Sequence, residues 1–292
     1  MPDFRPAAGA TSWSDLARPP LNAEAARRAL VRPGGRWRDL QVVEETESTN
    51  ADLVAAARNG AATGLVRVAE HQTGGRGRLG RRWQAPPRSG LALSLLLRPG
   101  VPAERWPWLP LLAGVAVAEA CRRVAEVDAV VKWPNDVLVD ERKVAGVLTE
   151  RVETAIGAAA VVGIGLNVSL GAHELPVPTA SSLALAGGSQ LDRAVLLRSL
   201  LRTFDALFGV WEAADRDPAM GQPGLHASYT QRCVTLGRAV RADLPDGTSV
   251  HGQALDVDPD GRLVLGTATG GRRVLGAGDV VHLRPGVPAP PA

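Results

Sequence analysis

The chain has 292 residues, 45% of them hydrophobic and 22% charged, and a net charge of +3, the balance of an ordinary soluble globular protein with room for one sizeable domain and a small one. Its pI near 9.4 is only mildly basic, so nucleic acid is allowed as a partner but not demanded. The apolar run 109–118 is closed by Glu119 and is too short to span a bilayer, and the start M-P-D-F-R-P lacks the charged region and apolar core of a secretory signal, which together predict a cytoplasmic protein without a membrane partner.

Taken in chain order, residues 1–35 read as a partly disordered N-terminal extension, Pro- and Ala-rich at first, with one helix in L-N-A-E-A-A-R-R-A-L. A strand follows around 40–44. In E-S-T-N-A-D-L-V-A-A-A-R-N-G, Ser48, Thr49 or Asn50 can cap a helix that Gly60 closes. Strands are predicted at 65–70 and 91–97 and a long apolar helix over 108–124, with Trp106 and Trp108 as core or interface residues. Further strands are expected at 129–132, 137–139, 144–151 and 159–167, then a helix over 192–214. Composition changes near Gly237. From there P-D-G and D-P-D-G turns separate five short strands, a small β-barrel over 235–285 before a disordered tail, 286–292. Cys121 and Cys233 fall in helical patterns without metal-ligand or C-x-x-C spacing, so both are expected to be reduced structural thiols.

Two motifs carry chemistry. Only two of the 33 basic residues are lysines, Lys132 and Lys143, and both lie in K-W-P-N-D-V-L-V-D-E-R-K. A chain that uses arginine for almost every other cation keeps lysine where a compact ammonium suits better than a planar fork. The second is H-Q-T-G-G-R-G-R-L-G-R-R-W. Gly75, Gly77 and Gly80 satisfy G-x-G-x-x-G, but Q-A-P-P-R-S-G prevents a following helix and no acidic residue stands about 20 positions on, so this is not a dinucleotide fingerprint. What remains is a glycine loop set with Arg76, Arg78, Arg81 and Arg82, suited to folding amides and guanidiniums around a phosphate or carboxylate.

The order E-S-T-N, H-Q-T-G-G-R-G-R-L-G-R-R-W, K-W-P-N-D, K-V-A-G-V-L-T-E, G-I-G-L-N-V resembles the catalytic domain of the biotin protein ligases. The resemblance is strong from about 39 to 168 and resumes in the terminal β-module, which is similar to the family's SH3-like domain. It implies an α/β (α+β) fold of the class II synthetase type, a mixed sheet with helices over 36–234, followed by that barrel. It also implies the chemistry: biotin and ATP form biotinyl-adenylate with Mg²⁺ on the phosphates, and biotin then passes to a lysine of a biotin carboxyl carrier domain. Because two anions are pushed together, cations placed where charge develops are the main catalytic requirement.

Carried over by motif, Lys143 contacts both the biotin carboxylate and the α-phosphate, and Arg76 and Arg78, with Gly77 between them, belong to the loop that orders over the ligand. Ser48, Thr49 and Asn50 match the group that hydrogen-bonds the ureido ring, although each could also be a helix cap, and Gln72 is the glutamine beside it. Asp136 orients the acceptor amine or takes its proton. Asn135 and Asn167 are placed near the adenine or the phosphates. Lys132 either touches the α-phosphate or neutralises Asp136, and both readings stay open. No protein-held metal site is implied.

Before the S-T-N motif there is space for a short helix and a strand but not for a three-helix DNA-binding domain, so a ligase without DNA binding is expected, as a monomer or weak homodimer. Two alternatives compete. A lipoate or octanoate ligase or transferase would share the fold but lack the G-R-G-R-x-G loop and the S-T-N contact. A nucleic-acid binding protein would need aromatics interleaved with the arginines, and three Phe, one Tyr and seven Trp leave few.

Overall fold

The computed structural model describes residues 18–214, 224–268, 270–276 and 278–283. Its larger part is a seven-stranded sheet ordered β1-β2-β3-β7-β6-β5-β4. In chain order these are β1 (Asp39–Thr46), β2 (Leu65–Gln72), β3 (Gly90–Leu97), β4 (Val130–Lys132), β5 (Asp136–Val139), β6 (Arg142–Val152) and β7 (Ala159–Asn167). β1 and β2 run parallel. All other neighbours pair antiparallel, which makes the sheet mixed, as expected.

Helices cover both faces. Helix α1 (Ala23–Leu30) starts at Asn22, whose side chain accepts from Ala25 N. α2 (Thr49–Arg58) starts at Ser48, whose hydroxyl accepts from Ala51 N, and packs Leu53 and Ala57 on Leu96, Val152, Ala159 and Val161. On the opposite face α3 (Trp108–Ala120) is buried nearly all round, because it is sandwiched between the sheet and α4 (Arg193–Ala213). α4 is capped by Asp192, which accepts from Ala194 N and Val195 N. Trp37 joins its aromatic row Phe204, Phe208 and Trp211.

Several expectations shift. The α-helical pattern of 108–124 ends at Ala120 and gives way to a π turn, Cys121–Ala125, closed by Glu126 at φ +58. Trp106 precedes the helix and donates its indole N–H to Val101 O. Of the predicted extension, residues 1–17 lie outside the described residues, while 18–35 pack onto the sheet. Arg18 bonds Glu174 at 2.6 Å, and Ala26 and Leu30 enter the core. Glu70 is fully engaged beneath them, accepting from Leu21 N and pairing with buried Arg193 at 2.6 Å. The tail 286–292 lies outside the described residues.

A short helix, α5 (Leu225–Thr230), was not anticipated, since six residues are too few to show a period. Cys233 sits in the turn after it rather than in a helix, and the backbone there covers the edge of β4: Val131 N donates to Arg232 O and Val234 N to Val131 O, each at 2.9 Å. Both cysteines are free and buried. The second sheet is five-stranded and antiparallel, ordered β11-β10-β9-β8-β12, from β8 (Ala239–Asp243), β9 (Ser249–Val257), β10 (Leu263–Gly266), β11 (Arg272–Leu275) and β12 (Asp279–His282). It forms a small barrel-like module. Two buried tryptophans of the larger part tether it, Trp108 Nε1 donating to Pro259 O at 2.8 Å and Trp133 Nε1 to Gly261 O at 3.3 Å.

Candidate active site

A cleft of about 1140 Å³ opens at the junction of the two sheets, and all twelve residues singled out in the sequence line it: Ser48, Thr49, Asn50, Gln72, Arg76, Gly77, Arg78, Lys132, Asn135, Asp136, Lys143 and Asn167. They come from β2, β4, β5, β6, β7, the start of α2 and the glycine loop. Their convergence is tertiary.

At the centre Lys143 Nζ lies 2.6 Å from Asp136 Oδ1. The register of β5 against β6 slips between Val137 and Leu138, and a bulge of this kind re-aims side chains. Residues three apart in a regular strand face opposite ways, yet the Lys143 ammonium stands over Gly146, 3.0 Å from where a Cβ would be. Lys143 is anchored from the other side by Thr179 O and Ser181 N, which bond its backbone at 2.8 Å each.

The glycine loop folds back on itself as a hairpin, Gly77 N donating to Arg81 O at 2.7 Å and Trp83 N to Gly75 O at 2.9 Å. Its tip turns through left-handed Leu79 and Gly80, φ +54 and +72. No α-helix follows, as the sequence required. Arg78 reaches inward and donates to Asn135 Oδ1 at 3.1 Å. Burial pulls its guanidinium below the usual arginine value; Asp279 and Asp136 oppose that shift, and Arg81 adds to it. Arg76 stays exposed near Glu47, and Arg81 pairs with Asp279 of the C-terminal module.

The S-T-N residues are all buried. Thr49 donates its backbone N–H to Gln72 Oε1 at 2.8 Å, and its hydroxyl lies 2.7 Å from Ser94 Oγ. Asn50 accepts from Ser94 Oγ at 2.6 Å and donates to Glu150 Oε2 at 2.7 Å. Ser48 is both the cap of α2 and a lining residue of the cleft. Asn135 is held by Val147 O, to which its Nδ2 donates at 2.9 Å. Asn167 donates to Ser181 O at 2.9 Å, while its buried Oδ1 has no partner among the described residues.

Lys132 is the cross-strand neighbour of Asp136 in the β4–β5 pair. The ion pair on Asp136 goes to Lys143, not Lys132. Lys132 instead acts on His282, whose imidazole is held down to about 4 by burial, with the positive charges of Lys132 and Arg238 adding.

Sequence reading missed Trp83, Ser94, Glu150, Arg238, Asp279 and His282. Trp83 lies flat on β7, since a Cβ on Gly165 would come within 2.3 Å of its ring, and Lys143 Nζ is 5.9 Å from its centroid. Its place at the end of R-R-W was the available signal, as was the lone serine of L-A-L-S-L-L-L for Ser94 and the end of K-V-A-G-V-L-T-E for Glu150. Asp279, 198 positions from Arg81, had none. The two glycines of G-I-G-L-N also find their use: Gly165 accepts the indole, and Gly163 makes room for Asn50, whose Oδ1 lies 2.1 Å from where a Cβ would stand.

Residues 42–167 match the family described as the biotin/lipoate A/B protein ligase family, and residues 235–283 match the biotin protein ligase C-terminal domain. The chain is 43% identical to the biotin--[acetyl-CoA-carboxylase] ligase of Mycobacterium tuberculosis, over 92% of this chain and 98% of that protein. It is 32% identical to the bifunctional ligase/repressor BirA of Bacillus subtilis, over 81% of this chain and 71% of that protein. Among solved structures, the biotin protein ligase of Aquifex aeolicus in complex with biotin and ATP superposes with a TM-score of 0.68 at 27% identity, covering 85% of this chain and all of that one.

Proposed function

The chain belongs to the biotin/lipoate A/B protein ligase family, and from that premise we propose how its own residues activate biotin and pass it on. It is a biotin protein ligase: biotin and ATP yield biotinyl-adenylate and pyrophosphate, and the biotinyl group is then transferred to a lysine. The relatives named above are biotin ligases, and they do not favour the lipoate reading. The observation that carries the site assignment is the Lys143–Asp136 pair at 2.6 Å, set between the buried S-T-N group and the arginine loop in one cleft.

In the first step a biotin carboxylate oxygen attacks the α-phosphorus and pyrophosphate leaves. Both reactants are anions, so the barrier falls where cations are fixed in advance. Lys143 supplies a mobile point charge able to follow the carboxylate and a phosphate oxygen. Arg78, partly desolvated and braced by Asn135, supplies a second charge with strong effect in a low-dielectric site. Trp83, over Gly146 and Gly165, offers an apolar surface for the biotin chain and excludes water from the anhydride. Asn167 Oδ1, a buried acceptor, suits an N–H donor such as the adenine amino group.

In the second step a lysine amine attacks the anhydride carbonyl and AMP leaves. The amine must lose a proton, and Asp136 takes it once Lys143 has turned to the nucleotide. Mg²⁺ would enter this cleft as an ion carried on the nucleotide phosphates, since magnesium normally keeps waters and phosphate ligands beside one or two carboxylates. The acceptor is read as a biotin carboxyl carrier domain of a biotin-dependent carboxylase. ATP–pyrophosphate exchange with and without biotin tests the reading; exchange that does not depend on biotin would overturn it.

A further inference from the structure

Arg18 reaches from the segment ahead of α1 onto a wall of the cleft that belongs to none of the sequence motifs. Its guanidinium donates to both carboxylate oxygens of Glu174, at 3.0 and 2.6 Å, and to Ser169 O at 2.9 Å. A two-pronged pair of this kind fixes direction as well as distance. Arg18 is itself held in place. Pro19 and Pro20 stiffen the chain beside it, buried Arg193 donates to Pro19 O at 2.6 Å, and Leu21 N donates to Glu70. Glu174 in turn closes a tight turn by accepting from Gly171 N at 2.8 Å, and beyond that turn Pro176, Val177, Thr179 and Ala180 line the cleft. The later part of this wall is pinned by Lys143 N to Thr179 O, Ser181 N to Lys143 O and Leu183 N to Asn167 O. The stretch 171–177 is not. Among the described residues, Arg18 is the only one outside 169–183 that hydrogen-bonds it.

We propose that Arg18 is a positioning residue for ATP: through Glu174 it sets the 171–177 wall, so that Pro176 and Val177 pack against the base while Asn167 receives its amino group. The proposal rests on the ligase reading above, in which Asn167 Oδ1 meets the adenine. Val177 stands 50% exposed in the cleft, an apolar face that a planar base would cover. The wall and Asn167 form one unit, because Asn167 Nδ2 donates to Ser181 O and its backbone carbonyl accepts from Leu183 N. The hydrogen bonds from Arg18 hold the Glu174 carboxyl down to about 2 from 4.5, so the pair stays charged at every pH at which the chain can be assayed. Lys143 keeps its backbone bonds to Thr179 and Ser181 when Arg18 is lost, and the S-T-N group has no bond to this wall. Loss of Arg18 therefore acts on the nucleotide and not on biotin.

Steady-state kinetics of biotin-dependent ATP–pyrophosphate exchange read this directly. Arg18→Ala should raise the KM for ATP by about tenfold, leave the KM for biotin within about twofold, and keep kcat at saturating ATP near wild type. Arg18→Lys keeps a charge on Glu174 but not the fork, so it should show the same split at about threefold, and it serves as the test if the alanine variant does not fold. Arg18→Ala combined with Glu174→Ala should be no worse for ATP than Glu174→Ala alone. A brace that merely stabilised the fold would move both substrates alike. Equal rises in the two KM values, an unchanged KM for ATP, or strict additivity of the two substitutions overturns the proposal. Absence of biotin-dependent exchange in the wild-type chain instead overturns the ligase reading, so the two failures are distinguishable.

Discussion

Lys143 and Asp136 are neighbours at 2.6 Å because of the slip in register between β5 and β6. The ammonium is held at the cleft centre, 33% exposed, with Trp83 beside it. A guanidinium there is bulkier and its planar fork cannot follow two oxygens whose positions change during reaction. Lys143→Arg should lower biotin-dependent ATP–pyrophosphate exchange by about 10²–10³ while the thermal unfolding midpoint stays close to wild type. Exchange near the wild-type rate would remove Lys143 from the mechanism.

Arg78→Gly removes the brace to Asn135 and the inward charge of the loop. The adenylate should still form but escape. An escaped acyl-adenylate reacts with exposed, deprotonated amines, and arginine, protonated at all ordinary pH, is not one. With lysine only at 132 and 143, the variant should label added bystander protein heavily. Itself it should label only at Lys132, Lys143 or the α-amino group. Mass spectrometry of the self-reacted chain reads this directly, and bystander labelling at the wild-type level would show that the loop is no lid.

Gly165 is the floor under Trp83. Gly165→Ala places a methyl where the indole lies, so the ring must leave the surface of β7. Biotin affinity should fall by about 1–3 kcal/mol, the usual cost of overpacking a close contact, and Trp83→Ala combined with Gly165→Ala should cost no more than Trp83→Ala alone. Calorimetric titration of biotin into the three variants checks the cycle; strict additivity would separate the two residues.

His282 carries a pH signature. Its imidazole is held down to about 4 from 6.5, first by burial and then by Lys132 and Arg238. Above 6.5 the folded and unfolded chains both hold it neutral, and its contribution is fully present. Between 6.5 and 4 the unfolded chain takes up a proton that the folded chain refuses, so stability falls with pH through that window. His282→Gln should flatten the fall in unfolding midpoint between pH 6.5 and 4 relative to wild type. Parallel curves for the two would assign the acid sensitivity elsewhere.

How much was legible in the sequence depended on the range of the forces involved. The helix beginning at Ser48, the strands of the larger sheet and the five terminal strands were visible because caps, turns and hydrophobic period are local. The residues that line the cleft stood out because their types and order form recognisable motifs. Three-dimensional packing decided the rest. The pairing of Lys143 with Asp136 rather than of Lys132 with Asp136 came from a bulge. The tie of Arg81 to Asp279 and the depressed His282 came from docking the small sheet against Trp108 and Trp133. The buried chain Glu150–Asn50–Ser94–Thr49 came from packing β3, β6 and the start of α2 together. None of these has a local period. Each depends on which distant side chains share a desolvated space, and only the folded chain determines that.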